Sequence, residues 1–317
     1  MLKMIKSGIF GLAIGDALGV PVEFDDRETL KQNPVTDMWG YGCHFQPKGT
    51  WSDDTSLTLC LMDSLSRGLD YTDLMTNFLA WMERGAFSPF GELVDIGNGT
   101  YAAITRFREG TPAEKCGSTS GRNNGNGSLM RILPLLFYLR TLYGKDFIQN
   151  TEAMNIVHRI AGLTHAHCRS QIACGIYLAI ADKILDWNDL FTAVVTGTQQ
   201  AFSYYNHYPQ FSKQLPHYDR IKNHDFHLLP ESQINSSGYM VDTLEAALWC
   251  LLNTITYDDC VLMAVNLGSD TDTVAAIAGG LAGLYYGYDS ISPNWLSALQ
   301  AKDLINNHCQ QFHLSLN

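Results

Sequence analysis

The stretch SDTDTVAAIAGGLAGLYYG, residues 269–287, decides the fold. It opens with two carboxylates and three hydroxyls in five residues, Ser269 to Thr273. It then runs uncharged and apolar from Val274 to Tyr286. The whole reads as a helix from Thr271 to Tyr286 with an acidic, hydroxyl-rich entry. The uncharged run of 13 residues is too short to cross a bilayer, which takes roughly 20. A matching entry stands at Ser52-Asp53-Asp54-Thr55, before an apolar segment whose Leu57, Cys60, Leu61 and Leu65 share one helical face.

Working outward, helical patterning recurs over 5–18, 73–83, 99–107, 129–142, 151–163, 170–185, 190–204, 239–253 and 258–266. Period-2 alternation is nearly absent, so the spacing predicts an all-α, compact multi-helix domain larger than a four-helix bundle. No solenoid repeat and no linker interrupts it, and 1–317 reads as one domain. Two segments break the pattern. Residues 111–127 are rich in Gly, Ser and Asn, and 206–236 are rich in His, Tyr, Pro and Gln, including His207, His217, His224 and His227. Both read as long loops, the second as an insertion.

Composition narrows the class. The chain has 317 residues, is 46% hydrophobic and only 17% charged, which places it among globular proteins. With 21 basic against 32 acidic residues the net charge is −11, which argues against a surface that grips nucleic-acid phosphates. The eight cysteines form no CxxC pair, and several sit in apolar runs as small hydrophobes. Reduced thiols in a cytoplasmic protein with no membrane role are expected, and a monomer.

The acidic clusters carry the chemistry. Ser, Thr and Asp are good N-caps, and carboxylates suit the positive end of a helix dipole. One cap needs one such side chain, however, and a second adjacent carboxylate adds repulsion unless a cation offsets it. Capping accounts for either cluster alone; the two together favour a metal site. Oxygen donors select Mg²⁺, Mn²⁺ or Ca²⁺ over zinc. An EF-hand does not fit, since Ala275 and Leu281 stand where its Gly and Glu belong. Glu23, after the turn at Gly19-Val20-Pro21, is either a solvated surface residue or an acid, base or ligand. Asp95 either caps the following helix or serves the site. The Gly125-Asn126-Gly127-Ser128 turn exposes backbone N–H groups of the kind that bind phosphate, although it is no P-loop. GxSxG, HExxH and GxGxxG in its strand–helix setting are all missing.

Six segments in order carry a resemblance: GLAIGDALGVPVEF (11–24), GTWSDDTSLTL (49–59), GNGSLMRILPL (125–135), LTHAHCRS (163–170), SGYMVDTLEAALWC (237–250) and AVNLGSDTDTVAAIAGGLAGLYYG (264–287). Together the chain resembles the ADP-ribosylglycohydrolases, in the branch of the dinitrogenase-reductase-activating glycohydrolase. The resemblance implies an all-α fold with two divalent cations, Mg²⁺ or Mn²⁺, at the base of a cleft. It implies Ser52, Asp53, Asp54, Asp270, Asp272 and Thr273 as metal ligands. Ser52 stands where the family usually has Thr, and Ser269 where it often has Gly. Asp95 and Glu23 match catalytic positions of its arginine-type and serine-type branches. Gly125, Asn126, Gly127 and Ser128 would cradle the diphosphate with Arg131 as a charged anchor, His165 would meet the distal ribose, and Tyr239 would cover the adenosine. The expected activity is metal-dependent removal of ADP-ribose from protein side chains, first of all arginine, with ADP-ribose as product. Hydrolysis of a serine, nucleobase or small-molecule linkage, and a non-catalytic ADP-ribose-binding or immunity protein, are the alternatives.

Overall fold

The computed structural model describes residues 1–186, 189–223 and 225–316; His224 lies outside them. Among the described residues the chain is helical, with isolated bridges in place of strands. The centre of the fold is one helix pair, Leu2–Gly19 against Thr271–Tyr286. Both are buried along most of their length, so neither shows the amphipathic stripe of a surface helix. Small residues set their separation. A Cβ on Gly11 would strike the backbone oxygen of Gly279, and one on Gly15 that of Ala275. The buried Tyr257 hydroxyl donates to Gly11 O at 2.7 Å. The span Leu2–Val22 is long and apolar enough to cross a membrane by length and composition. A count of uncharged residues alone passes over it, because Lys3, Lys6 and Asp16 interrupt it. In the fold, 89% of its apolar window is buried.

Around the pair pack Asp53–Ser66, Cys168–Leu185, Met240–Leu252 and Tyr257–Val265, with further helices outside them. The expected helices are present, with one shortened: 129–142 becomes Pro134–Tyr143, because proline takes the first helical turn and the residues before it are turns. The C-terminal helix Lys302–Ser315 was legible as Ile305, Cys309 and Phe312 on one face but lies outside the expected segments.

The insertion is not the loop its composition suggests. Residues 206–236 hold the short helices Pro209–Ser212 and Asp219–Lys222 and several 3₁₀ turns. Phe211, Leu215, Tyr218, Ile221 and Phe226 are buried. Arg27 pins the far end, donating to Glu231 O and Ile234 O, each at 2.6 Å, and to Leu267 O at 2.8 Å. Helices of four residues have no stability of their own, so their buried aromatics, not propensity, hold them. Gly11→Val should therefore cost about 3 kcal/mol or more by overpacking the central crossing. A urea melt followed by circular dichroism reads it, and an unchanged midpoint would refute the packing argument.

Candidate active site

The helix Asp53–Ser66 begins with its capping already complete. Ser52 is the N-cap and its Oγ accepts from Asp54 N at 3.4 Å. Asp16, projecting from Leu2–Gly19, accepts from Ser52 N at 2.9 Å, Thr55 N at 3.0 Å and Thr55 Oγ1 at 2.6 Å. Burial nonetheless raises its carboxyl to about 6. Asp53 and Asp54 are thus left over from capping. Asp54 Oδ2 accepts from Ser52 Oγ at 3.2 Å and Thr273 Oγ1 at 3.3 Å, while its buried Oδ1 has no hydrogen-bond partner.

The second cluster repeats the logic. Asp270 is the N-cap of Thr271–Tyr286, but its side chain makes no capping bond. It accepts from Asn126 Nδ2 at 2.7 Å instead. Asp272 Oδ1 takes Thr273 N at 2.8 Å. Thr271 Oγ1 donates to Gly19 O at 2.8 Å, tying this helix start to the end of the first helix. Ser269 adopts a φ of 67°, a left-handed conformation that glycine takes freely.

The two clusters meet. Carboxylate oxygens of Asp16, Asp54 and Asp272 lie within 4.8 Å of one another, as do those of Glu23, Asp270 and Asp272. Burial, then the neighbouring carboxylates, pushes Asp53, Asp54 and Asp272 well above the usual range. Burial also raises Glu23 and Asp95. A partnerless buried oxygen amid converging carboxylates and hydroxyls is the donor set of a hard divalent cation. The site therefore fits the implied metal, with Asp53, Asp54, Asp270, Asp272, Ser52 and Thr273 at hand.

Above this floor opens a cavity of about 590 Å³ lined by Glu23, Asp53, Asp95, Asp270, Asp272 and Thr273. Gly125, Asn126, Gly127 and His165 form another wall. Asn126 N donates to Gly238 O at 3.1 Å and Met240 N to Asn124 O at 2.9 Å, so the Gly-rich turn is strapped to the start of Met240–Leu252. His165 is buried apart from its edge on the cavity, and burial lowers its imidazole to about 3. Thr164 Oγ1 accepts from Arg131 at 2.8 Å and lies 2.8 Å from His165 Nδ1. The arrangement that leaves no buried donor unpaired puts the Thr164 hydrogen on Nδ1 and the ring proton on Nε2.

Three expected contacts lie elsewhere. Ser128 is buried with its hydroxyl 3.7 Å from Cys174 Sγ, facing away from the cavity. Arg131 is wholly buried behind the turn, where it donates to Gly127 O and Thr164, and so holds the turn's backbone instead of facing a ligand. Tyr239 stands outside the lining; its hydroxyl accepts from Arg169 at 3.1 Å. Conversely, Arg106 and Arg122 line the cavity, and His44 hydrogen-bonds Glu23. His44 is raised to about 10 by hydrogen bonds with Cys43 and Glu23. Asp16 also escaped the sequence reading, although it carries a readable signal, a lone carboxylate inside an apolar helix. The backbone of Asp95 has a φ of 112°, and Gly97, not Asp95, is the N-cap of Asn98–Arg108.

Residues 2–316 match the family model described as ADP-ribosylglycohydrolase. The chain is 33% identical to the ADP-ribosylarginine hydrolase Tri1 of Serratia proteamaculans, covering 98% of this chain and 79% of that protein. It is 32% identical to the ADP-ribosyl-[dinitrogen reductase] glycohydrolase of Rhodospirillum rubrum, covering 92% of this chain and 88% of that one. A solved structure, an ADP-ribosylglycohydrolase-related protein complex, superposes with a TM-score of 0.80 at 29% identity, over 100% of this chain and 99% of its own.

The burial of His165 has a direct readout. Its ring carbon resonances should show no titration between about pH 5 and 8, whereas an ordinary histidine titrates near 6.5. A midpoint above pH 5 for His165 by NMR would contradict the buried, neutral ring.

Proposed function

Since the chain belongs to the ADP-ribosylglycohydrolase family and is an enzyme of that kind, we propose that it removes ADP-ribose from modified arginine side chains of proteins with the help of two divalent cations, Mg²⁺ or Mn²⁺. The observation that carries the arginine reading is Asp95, held at a φ of 112° on the cavity wall that also presents Asp53. Backbone in that region is strained for a residue with a Cβ and persists where the surroundings demand it. An acidic wall complements a cationic guanidine leaving group. The two Tri1 relatives, at 33% and 32% identity, support the same choice.

Bound cations would fix the ribose hydroxyls and supply a polarised water. The chain's own residues do the rest. Glycosidic cleavage passes through an oxocarbenium-like state, so positive charge grows on the ribose. Asp95 takes a proton from the attacking water as the water oxygen bonds to the anomeric carbon; the C–N bond breaks, guanidine leaves with the electron pair, and the proton passes from Asp95 to it, which restores the carboxylate. Glu23 lies beside the floor to stabilise the cation. Backbone N–H groups of Gly125 and Gly127, with Arg122 nearby, receive the diphosphate, and His165 Nε2–H donates to the distal ribose. Binding there, remote from the reacting carbon, supplies energy that holds the ring in place. The eight unpaired cysteines, six of them buried, support a reducing, cytoplasmic setting.

Asp270→Ala should abolish metal-dependent hydrolysis while leaving the helical circular dichroism intact; unchanged turnover would remove the metal assignment. Asp95→Asn should slow turnover about 10²- to 10⁴-fold, the usual contribution of a positioned acid or base. The substrate class is tested with arginine- and serine-ADP-ribosylated peptides, each with Mg²⁺, Mn²⁺ or EDTA. Release of ADP-ribose from the arginine peptide only, lost in EDTA, is expected; preferential cleavage of the serine peptide would overturn the linkage.

A further inference from the structure

We propose a second metal site, of a different chemical character, beside the cavity: Cys43, His44 and Glu23 bind a borderline-soft transition ion such as Zn²⁺. The Cys43 sulfur, a His44 ring nitrogen and a Glu23 carboxylate oxygen all lie within 4.8 Å of one another. Zinc bound by one Cys, one His and one carboxylate keeps a fourth position for water, at ligand distances of about 2.0–2.3 Å. Small side-chain movements close the present spacing to that geometry.

The backbone is built to present this trio. Cys43 and His44 sit in the single 3₁₀ turn Gly42–His44, flanked by Tyr41 at φ 73° and Phe45 at φ 53°. Gly42, at φ 49°, presses on the carbonyl of Pro21, so the turn docks against the segment that delivers Glu23. Cys43 is exposed and its Sγ points at Val20 O, 3.2 Å away. His44 Nε2 already meets Glu23 Oε2, with side chains only 17% and 7% exposed. The ligands are thus gathered; zinc binding displaces one proton from the solvent-exposed Cys43 thiol and one from the His44 ring, which is held protonated beside Glu23.

Donor chemistry separates this site from the floor. Thiolate and imidazole select zinc or its neighbours, whereas the all-oxygen floor selects Mg²⁺ or Mn²⁺. Glu23 belongs to both groups, since its carboxylate also lies within 4.8 Å of Asp270 and Asp272. A zinc ion held there draws Glu23 away from the floor and suppresses turnover. This consequence rests on the role proposed above for Glu23; the binding itself does not.

Co²⁺ added to the chelator-stripped protein reports the site directly. A thiolate-to-cobalt charge-transfer band is expected, bleached by one equivalent of Zn²⁺, absent in Cys43→Ser and weakened in His44→Gln. Zinc affinity should fall in Cys43→Ser by more than the roughly 10- to 100-fold that loss of a supporting contact costs. No band in the native protein, or an undiminished band in Cys43→Ser, overturns the site. Zinc should inhibit the native enzyme and spare Cys43→Ser; equal inhibition of both overturns the coupling through Glu23. The cobalt band is read without substrate, so it stands apart from any failure of the arginine assay.

Discussion

The close crossing of Leu2–Gly19 and Thr271–Tyr286 is the constraint on which the rest of the structure depends. Helix axes approach this nearly only where side chains are reduced to hydrogen or methyl. Gly11, Gly15 and Gly279 provide that, and a Cβ at Gly19 would meet Asp272 Cα. The last of these contacts matters most for chemistry, because it brings the end of one helix onto the acidic start of the other. Asp16 and Asp272 come from opposite partners of the crossing, and their carboxylates converge because the backbones do.

Convergence of like charges in a buried place is unfavourable unless something offsets it. The fold spends Asp16 on three hydrogen bonds to the start of Asp53–Ser66, so that one carboxylate of the cluster is structural. The others have few internal partners, and one oxygen of Asp54 has none. Raised carboxyl pKa values and an orphaned acceptor are two expressions of one fact: the polypeptide alone does not balance this charge. The net charge of −11 is therefore not an even coating of the surface but includes a concentrated, buried part.

Over that floor, the cavity walls come largely from helix starts and tight turns, joined by the flank of Asn98–Arg108 at Ala102 and Arg106. The Gly125–Gly127 turn is held from behind by Arg131 and from the side by the strap to Gly238 and Met240. Arg131 is thus a cation that points away from the cavity yet shapes it, since its guanidinium fixes the Gly127 carbonyl and, through Thr164, the orientation of His165. Glu23, also in the lining, connects the hard-oxygen floor to the Cys43–His44 turn.

Much of this was legible in the chain itself. Helical period and the near absence of alternation are local properties, and they identified most of the long helices and the all-α class. Two acidic clusters beyond any capping need pointed to a cation. What local pattern could not carry was direction and distance. Ser128 shares its motif with the cavity-lining Gly127, yet its side chain turns to Cys174. Arg131 reads as an anion anchor until the fold buries it. Residues 206–236 read as loop because four-residue helices lack a periodic signal, and only tertiary burial of Phe211, Tyr218 and Phe226 stabilises them. His44 lies 21 residues from Glu23, and only the docking of the Gly42 turn on Pro21 joins them. The sequence by itself determined most of the long helices and which residues bear charge, because those depend on neighbours along the chain. The tertiary structure alone decided which charges meet, because that depends on how closely two distant backbones can pack.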